Sequence, residues 1–240
     1  MTRAERPLTI VVPVYAEGEN LARWWARTAP FLPPGARVVL VYDREDDDTL
    51  PPARALAARG APLRLLRNEG RGARAAILSG LAAAPAGPAL VTMADLSDDP
   101  ASIGPMLDAY RAGADVVVAS RFARGGAQHG GPWLKGRLAR WGGRSLRWLA
   151  GFPVSDATNG FRLYDAELVQ SLRLGRAGGF EVAFEITLEA WRRRLRIAEV
   201  PTVWRAREAG KSRFRLVRWL PRYAWLWARA MAIGVARRGR

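Results

Sequence analysis

The feature that most constrains this chain is the regular alternation of strand-like and helix-like segments across its first half. Apolar, β-rich runs at 8–14, 37–43, 62–67, 88–95 and 114–120 are separated by helix-forming stretches at 18–30, 51–59, 70–84 and 101–112. A helix between two strands carries the chain back to where the next strand can run parallel to the last. The pattern therefore predicts an α/β fold, with a mainly parallel central sheet and helices on both faces. Breakers mark the junctions: Pro33-Pro34-Gly35, Pro51-Pro52, the 84–88 stretch and Asp99-Pro100. No repeat of fixed period is present. At 240 residues and 49% hydrophobic content, the chain can bury one substantial core and carry an appendage.

Three of the predicted strands run into acidic turns. Val14-Tyr15 leads to Glu17-Gly18-Glu19-Asn20, Val41-Tyr42-Asp43 to the acidic 44–48 cluster, and Met93-Ala94-Asp95 to Ser97-Asp98-Asp99. Ligands of open α/β sheets bind outside the carboxyl ends of the strands. Carboxylates gathered there point to a divalent cation or a polar nucleotide ligand. Asp46, Asp47 and Asp48 read mostly as a solvated acidic loop.

The formal charge of +16 favours an anionic partner such as nucleic acid, an acidic membrane or a phosphorylated substrate. Lys135 and Lys211 are the only lysines. A coding bias would exchange lysine for arginine but would not by itself create the excess positive charge, so a functional origin is favoured over simple arginine abundance. The absence of cysteine removes disulfide frameworks and thiolate metal sites. The opening residues, 1–7, lack the apolar core of a signal peptide, which predicts a cytoplasmic start.

Beyond residue 123 the character changes. A glycine-rich stretch, 125–131, predicts a flexible loop, with His129 an ordinary member of it. It leads into a basic amphipathic helix near 133–149, where Trp133, Leu134, Leu138, Trp141, Leu146 and Leu149 fall roughly on one face. That pattern suits a membrane interface, and equally a helix packed on the sheet. A second such segment, 214–235, is interrupted by Arg218, Pro221, Arg222 and Arg229, which argues against a spanning helix and for an interfacial one. Six of the ten tryptophans lie in these two segments, which favours membrane docking.

Four blocks in order give the chain a family likeness. These are the 10–20 segment, Asn68-Glu69-Gly70-Arg71-Gly72-Ala73-Arg74-Ala75, Asp156-Ala157-Thr158-Asn159-Gly160-Phe161-Arg162 and Arg207-Glu208-Ala209-Gly210-Lys211-Ser212-Arg213. Together they resemble the family 2 glycosyltransferases of GT-A fold, in particular the dolichol-phosphate mannose synthase branch. The resemblance spans roughly residues 8–215. It implies a GT-A nucleotide-sugar-binding domain over 1–213 and a basic amphipathic membrane-interface segment over 214–240.

By the same resemblance, Pro13, Tyr15 and Glu17 contact the base and ribose, and Asp43 faces the base. Tyr42 replaces the first aspartate of the family's Val-Asp-Asp turn, which leaves base preference open. Asn68, Gly70, Arg71 and Gly72 form a donor-binding turn. The two glycines let backbone approach the ligand, and the next helix points its positive end at the turn. Asp95 stands at the second aspartate of the Asp-x-Asp motif, and Ser97 where this branch usually has glutamine. The implied metal residues, for Mg²⁺ or Mn²⁺, are thus Asp95 and Ser97. Met93 replaces the motif's first aspartate and is a poor ligand for a hard cation. Arg121 faces the acceptor phosphate, assisted by Lys135 or Arg137. Asp156 lies near the sugar or orients a cation, and Arg207, Ser212 and Arg213 close over the donor diphosphate.

The implied activity is inverting transfer of a hexose from a nucleoside diphosphate sugar, GDP-mannose or UDP-glucose in class, to a polyprenyl or dolichyl phosphate. It would act peripherally at the cytoplasmic face of the membrane, on an anionic surface, and a separate anchoring protein could assist. The rivals are a glycan or metabolite acceptor, and a degenerate protein that only binds its ligands. Nucleic-acid binding rests on charge alone and finds no motif.

Overall fold

A computed structural model of the chain describes residues 3–175, 178–207 and 216–238. Strands β1 (Thr9–Val14), β2 (Arg37–Tyr42), β3 (Leu63–Arg67), β4 (Pro88–Val91) and β5 (Val116–Ser120) stand close to where the hydrophobic pattern places them. Two short strands, β6 (Ala127–His129) and β9 (Val203–Arg205), pair in parallel as a separate ribbon. The remaining strands are β7 (Arg162–Asp165) and β8 (Ile197–Pro201). The main sheet has seven strands in the order β3-β2-β1-β4-β7-β5-β8. β7 runs antiparallel to β4 and β5, and the other pairings are parallel.

Side chains alternate across a strand, so each strand feeds two cores. Ile10, Val12, Val38, Leu40, Leu90 and Val117 face a layer holding Leu21 and Trp24 of α1 (Gly18–Thr28), Leu50 of α2 (Leu50–Ala58), and Met106 and Tyr110 of α4 (Ile103–Arg111). Val11, Val39, Val41, Val91, Val116 and Val118 face the other. There they meet Ile77 of α3 (Gly72–Ala83), Leu146 of α5 (Trp133–Ala150), Phe184 of α7 (Val182–Arg192) and Leu226 of α8 (Leu216–Arg238). α6 (Ala166–Ser171) follows β7. Covering both faces is what lets parallel strands be apolar without a break.

Three local expectations change. The fourth strand ends at Val91 rather than residue 95, because Met93 N turns away to donate to the Asp98 carboxylate at 3.3 Å. The glycine-rich stretch is not wholly loop: Ala127–His129 finds a partner in Val203–Arg205, a pairing too remote in sequence for local pattern to reveal. Leu146 does not share the tryptophan face of α5. With Gly143 and Ala150 it forms a narrow buried stripe at helical spacing, while Trp133, Trp141 and Trp148 remain 68%, 60% and 65% exposed. α8 packs on α5, with Trp227 Nε1 donating to Ser145 Oγ at 3.0 Å. Among the described residues no helix is long and apolar enough to cross a membrane.

Candidate active site

Because β1 to β5 and β8 run parallel, their carboxyl ends share one edge of the sheet, and antiparallel β7 begins at that edge. Tyr15, Asp43, Asn68, Asp95 and Arg121 are therefore delivered to one side, and so is the 156–161 segment that enters β7. The strand order places β4 beside β1. The Glu17 and Asp95 turns consequently face one another across the crevice where ligands of such sheets bind.

Around Asp43 the carboxylate serves its own fold. Oδ1 accepts from Asn68 Nδ2 at 2.6 Å and Oδ2 from Gly72 N at 2.8 Å, at the first turn of α3. The positive end of that helix thus already meets an anion. Asn68 Oδ1 accepts in turn from Gly70 N at 3.1 Å. Gly72 has φ +80°, and a Cβ on Gly70 would lie 2.6 Å from that of Ala75, so the turn itself requires both glycines. Arg71 is exposed beside them. Asp47 departs from the solvated reading: it is buried, accepting from Ala16 N at 3.1 Å and Thr49 N at 2.9 Å. Asp48 accepts from Gly18 N at 3.1 Å, so the two brace the loop that carries Tyr15 and Glu17. Pro13 is half-buried at the end of β1, and Tyr15 is exposed.

At the Asp95 turn, Oδ1 accepts from Ser97 N at 3.1 Å and Oδ2 pairs with Arg207 Nη2 at 2.8 Å. The same Arg207 nitrogen lies 3.5 Å from Glu17 Oε1. Arg205 N donates to Ser97 O at 2.9 Å, so the β6–β9 ribbon holds Arg207 over the turn. Leu96 takes a left-handed φ of +64° to make that turn. Asp98 accepts from Thr92 Oγ1 at 2.8 Å and Met93 N at 3.3 Å. Burial first, and then the Asp95 carboxylate, push its carboxyl up to about 7. Burial likewise raises Glu17. Met93 turns its side chain towards the core. The donor set is all oxygen, and one Asp95 oxygen is already engaged by the Arg207 guanidinium. Asp95 with Ser97 therefore suits a hard divalent ion that keeps other ligands from substrate or water. Among the described residues no three His, Cys, Asp or Glu side chains converge as a metal cage.

Arg121 and Asp156 form a buried bidentate pair, Nε to Oδ2 at 2.7 Å and Nη2 to Oδ1 at 2.8 Å. Nη2 also donates to Thr158 Oγ1 at 2.8 Å. Burial alone would raise Asp156; the adjacent guanidinium outweighs it and holds the carboxyl below its ordinary range. Lys135 lies close by: burial, followed by the Arg121 charge, lowers its ammonium, and Asp95 acts in the opposite sense. Residues two apart on a helix do not share a face. Arg137 accordingly is not brought to this cluster and lies exposed, its guanidinium 5.6 Å from the Trp133 ring. Ser212 and Arg213 lie outside the described residues.

Several supports went unread in the sequence. Arg162 is fully buried and donates to the carbonyls of Asn159 at 2.7 Å, Ala157 at 2.7 Å, Asp156 at 3.2 Å and Ala183 at 2.6 Å. It pins the Asp156 segment to α7. Arg74 pairs with Glu185 at 2.7 Å, joining α3 to α7. Glu199 of β8 binds the segment from the other side. A charged residue inside an otherwise apolar strand was the available signal for Glu199; Arg74 and Arg162 lie within two of the family-like blocks, which marked them without revealing their partners.

A family model described as glycosyl transferase family 2 matches residues 9–173. The chain is 31% identical to a polyprenol monophosphomannose synthase of Mycolicibacterium smegmatis over 85% of its own length and 79% of that protein. It is 24% identical to a dolichol-phosphate mannosyltransferase of Pyrococcus furiosus, covering 87% of this chain but only 59% of that longer one. Its fold superposes on glucosyl-3-phosphoglycerate synthase of Mycobacterium tuberculosis, solved with Mn²⁺, UDP and glucosyl-3-phosphoglycerate, with a TM-score of 0.66. That match is 18% identical and covers 99% of this chain and 81% of the other. With its GT-A-like α/β fold, the chain belongs to glycosyl transferase family 2.

Proposed function

We propose that this glycosyltransferase moves a hexose from a nucleoside diphosphate sugar to a polyprenyl or dolichyl phosphate at a membrane surface, inverting the anomeric centre. One observation carries the reading. Lys135, within the field of both Arg121 and Asp95, opens a helix whose outer face exposes Trp133, Leu134, Leu138, Trp141, Trp148 and Leu149. A phosphate-type site thereby continues into an apolar, arginine-flanked surface, as an acceptor with a charged head and a lipid tail requires. Interfacial tryptophan and basic residues suit an anionic membrane. The 214–240 segment, whose α8 packs on this helix, belongs to the same surface, at the cytoplasmic face, with or without an anchoring partner.

The acceptor phosphate is already an anionic nucleophile, so the protein needs no strong base and works by alignment and charge. Arg121, fixed by Asp156, and Lys135 orient the phosphate. Pro13, Tyr15, Glu17, Asp43, Asn68, Gly70, Arg71 and Gly72 line the donor side. Arg207, with Ser212 and Arg213, neutralises the donor diphosphate, which competes with Asp95 and Glu17 for the Arg207 guanidinium. A Mg²⁺ or Mn²⁺ ion held by Asp95 with Ser97 would stabilise charge on the departing diphosphate. Relatives named for mannose transfer support a mannose donor, GDP-mannose in class, and the fold neighbour solved with UDP keeps UDP-glucose in play.

The test is transfer to a short polyprenyl phosphate from a panel of labelled nucleotide-sugars, with Mg²⁺, Mn²⁺ or EDTA. Metal-dependent transfer from one donor, abolished by Asp95→Ala, is expected. Donor binding without transfer under every condition would instead support a different acceptor or a binding-only protein, the latter being the reading that Met93 favours.

A further inference from the structure

Glu199 stands in the middle of β8 with its side chain 10% exposed. A buried carboxylate is costly unless it is hydrogen-bonded and paired. Here Oε1 accepts from Ser155 N at 2.7 Å, Ser155 Oγ at 2.6 Å and Asp156 N at 3.2 Å. Oε2 meets Arg147 Nη1 of α5 at 3.1 Å. The amides it takes belong to the segment that delivers Asp156. α5 touches that segment directly as well, since a Cβ on Gly143 would fall 1.9 Å from Ser155 O. Downstream, Asp156 presents both oxygens to Arg121, with Asn159 N at 3.1 Å from Oδ1. One carboxylate therefore links the helix with the exposed tryptophans to the buried ion pair.

We propose that Glu199 is a positioning residue for the Asp156–Arg121 pair and, through Arg147, ties that pair to α5. The kinetic consequence rests on the reading of Arg121 as the acceptor-phosphate group. The pair is bidentate, so a shift of the Asp156 backbone turns the Arg121 fork away from the phosphate. Misplacement by about 1 Å can cost on the order of 10²-fold in rate. Donor binding, assigned to the turns after β1, β2 and β3 and to Arg207, uses none of the groups that Glu199 bonds.

Hydrogen exchange and kinetics on the full chain test this with Glu199→Ala, Glu199→Gln and Glu199→Ala combined with Asp156→Asn. In Glu199→Ala, amide exchange over 153–160 should rise at least tenfold while β1 amides keep their protection. The value of kcat/KM for a short polyprenyl phosphate should fall about 10- to 100-fold, with nucleoside diphosphate affinity held within about twofold. Glu199→Gln keeps the volume and one acceptor oxygen but turns an amide N–H towards Arg147; it should fall between and carries the test if the alanine variant does not fold. In the Asp156→Asn background Glu199→Ala should add little, since both act on one group. Unchanged exchange, equal loss of donor and acceptor use, or full additivity would overturn the assignment. A wild-type chain that transfers from no donor would sink the functional reading instead, and the exchange rates would still judge the tether.

Discussion

Gly142 and Gly143 are adjacent in α5, yet replacing each with alanine should move stability in opposite directions. A Cβ at Gly142 meets nothing within 4 Å, so Gly142→Ala changes little but the backbone. The gain in helix propensity is up to about 1 kcal/mol. At Gly143 the same atom would sit 1.9 Å from Ser155 O and 2.9 Å from its carbonyl carbon. An ordinary C···O approach is about 3.3 Å or more, so helix and loop must part by roughly 1.4 Å. Neither can give easily: the loop is held by Glu199, and α5 is backed by α8, where a Cβ on Gly234 would lie 2.4 Å from Ala150 O. Overpacking of this kind costs about 3 kcal/mol, the upper end of the usual range. The propensity gain offsets about 1 kcal/mol of that, leaving a net loss of about 2. The two variants should differ by about 3 kcal/mol, or about 6–12 °C in Tm for a chain of this size. Thermal and urea unfolding of both proteins measure the gap. Since propensity cancels between neighbours, shifts of equal sign and size would refute the close-contact argument.

Breaking the buried ion pair by Asp156→Ala leaves Arg121 uncompensated and should cost about 3–5 kcal/mol in urea unfolding; a loss under about 1 kcal/mol would deny the pair its structural weight. Asp98 gives a pH signature. The folded chain holds its proton up to about pH 7, whereas an unfolded chain releases it near the ordinary 3.8, so the native state binds more protons between these values. This contribution is fully present below the lower value and is lost as pH rises towards 7; Asp98→Asn should flatten that slope in denaturation from pH 4 to 8. Arg207→Gln removes the guanidinium from Asp95 and Glu17, and donor-free Mn²⁺ affinity, followed by electron paramagnetic resonance, should rise severalfold. Unchanged affinity would show that the arginine does not compete for the site.

Much of this molecule was legible in its sequence, for definite reasons. Strand and helix periodicity is local, so the β-α alternation set the parallel sheet, and turn residues such as Asp43, Gly70 and Gly72 mark strand ends by their own chemistry. The family blocks added the order of the site, and the match over residues 9–173 bears out the family likeness. Tertiary structure decided what these side chains touch. Asp47 looks like solvated charge until Ala16 N is seen to lie against it, and Leu146 looks like part of a tryptophan face until the sheet claims it. Arg121 has no visible counter-ion in sequence because Asp156 lies 35 residues away. Antiparallel β7 returns that aspartate to the edge where β5 ends. Glu199 and Arg162 act by bonding backbone amides and carbonyls, which every residue carries, so no residue type announces their partners. A sequence can declare which groups are charged and where chains turn; only the packing of distant segments fixes which charges share a buried site.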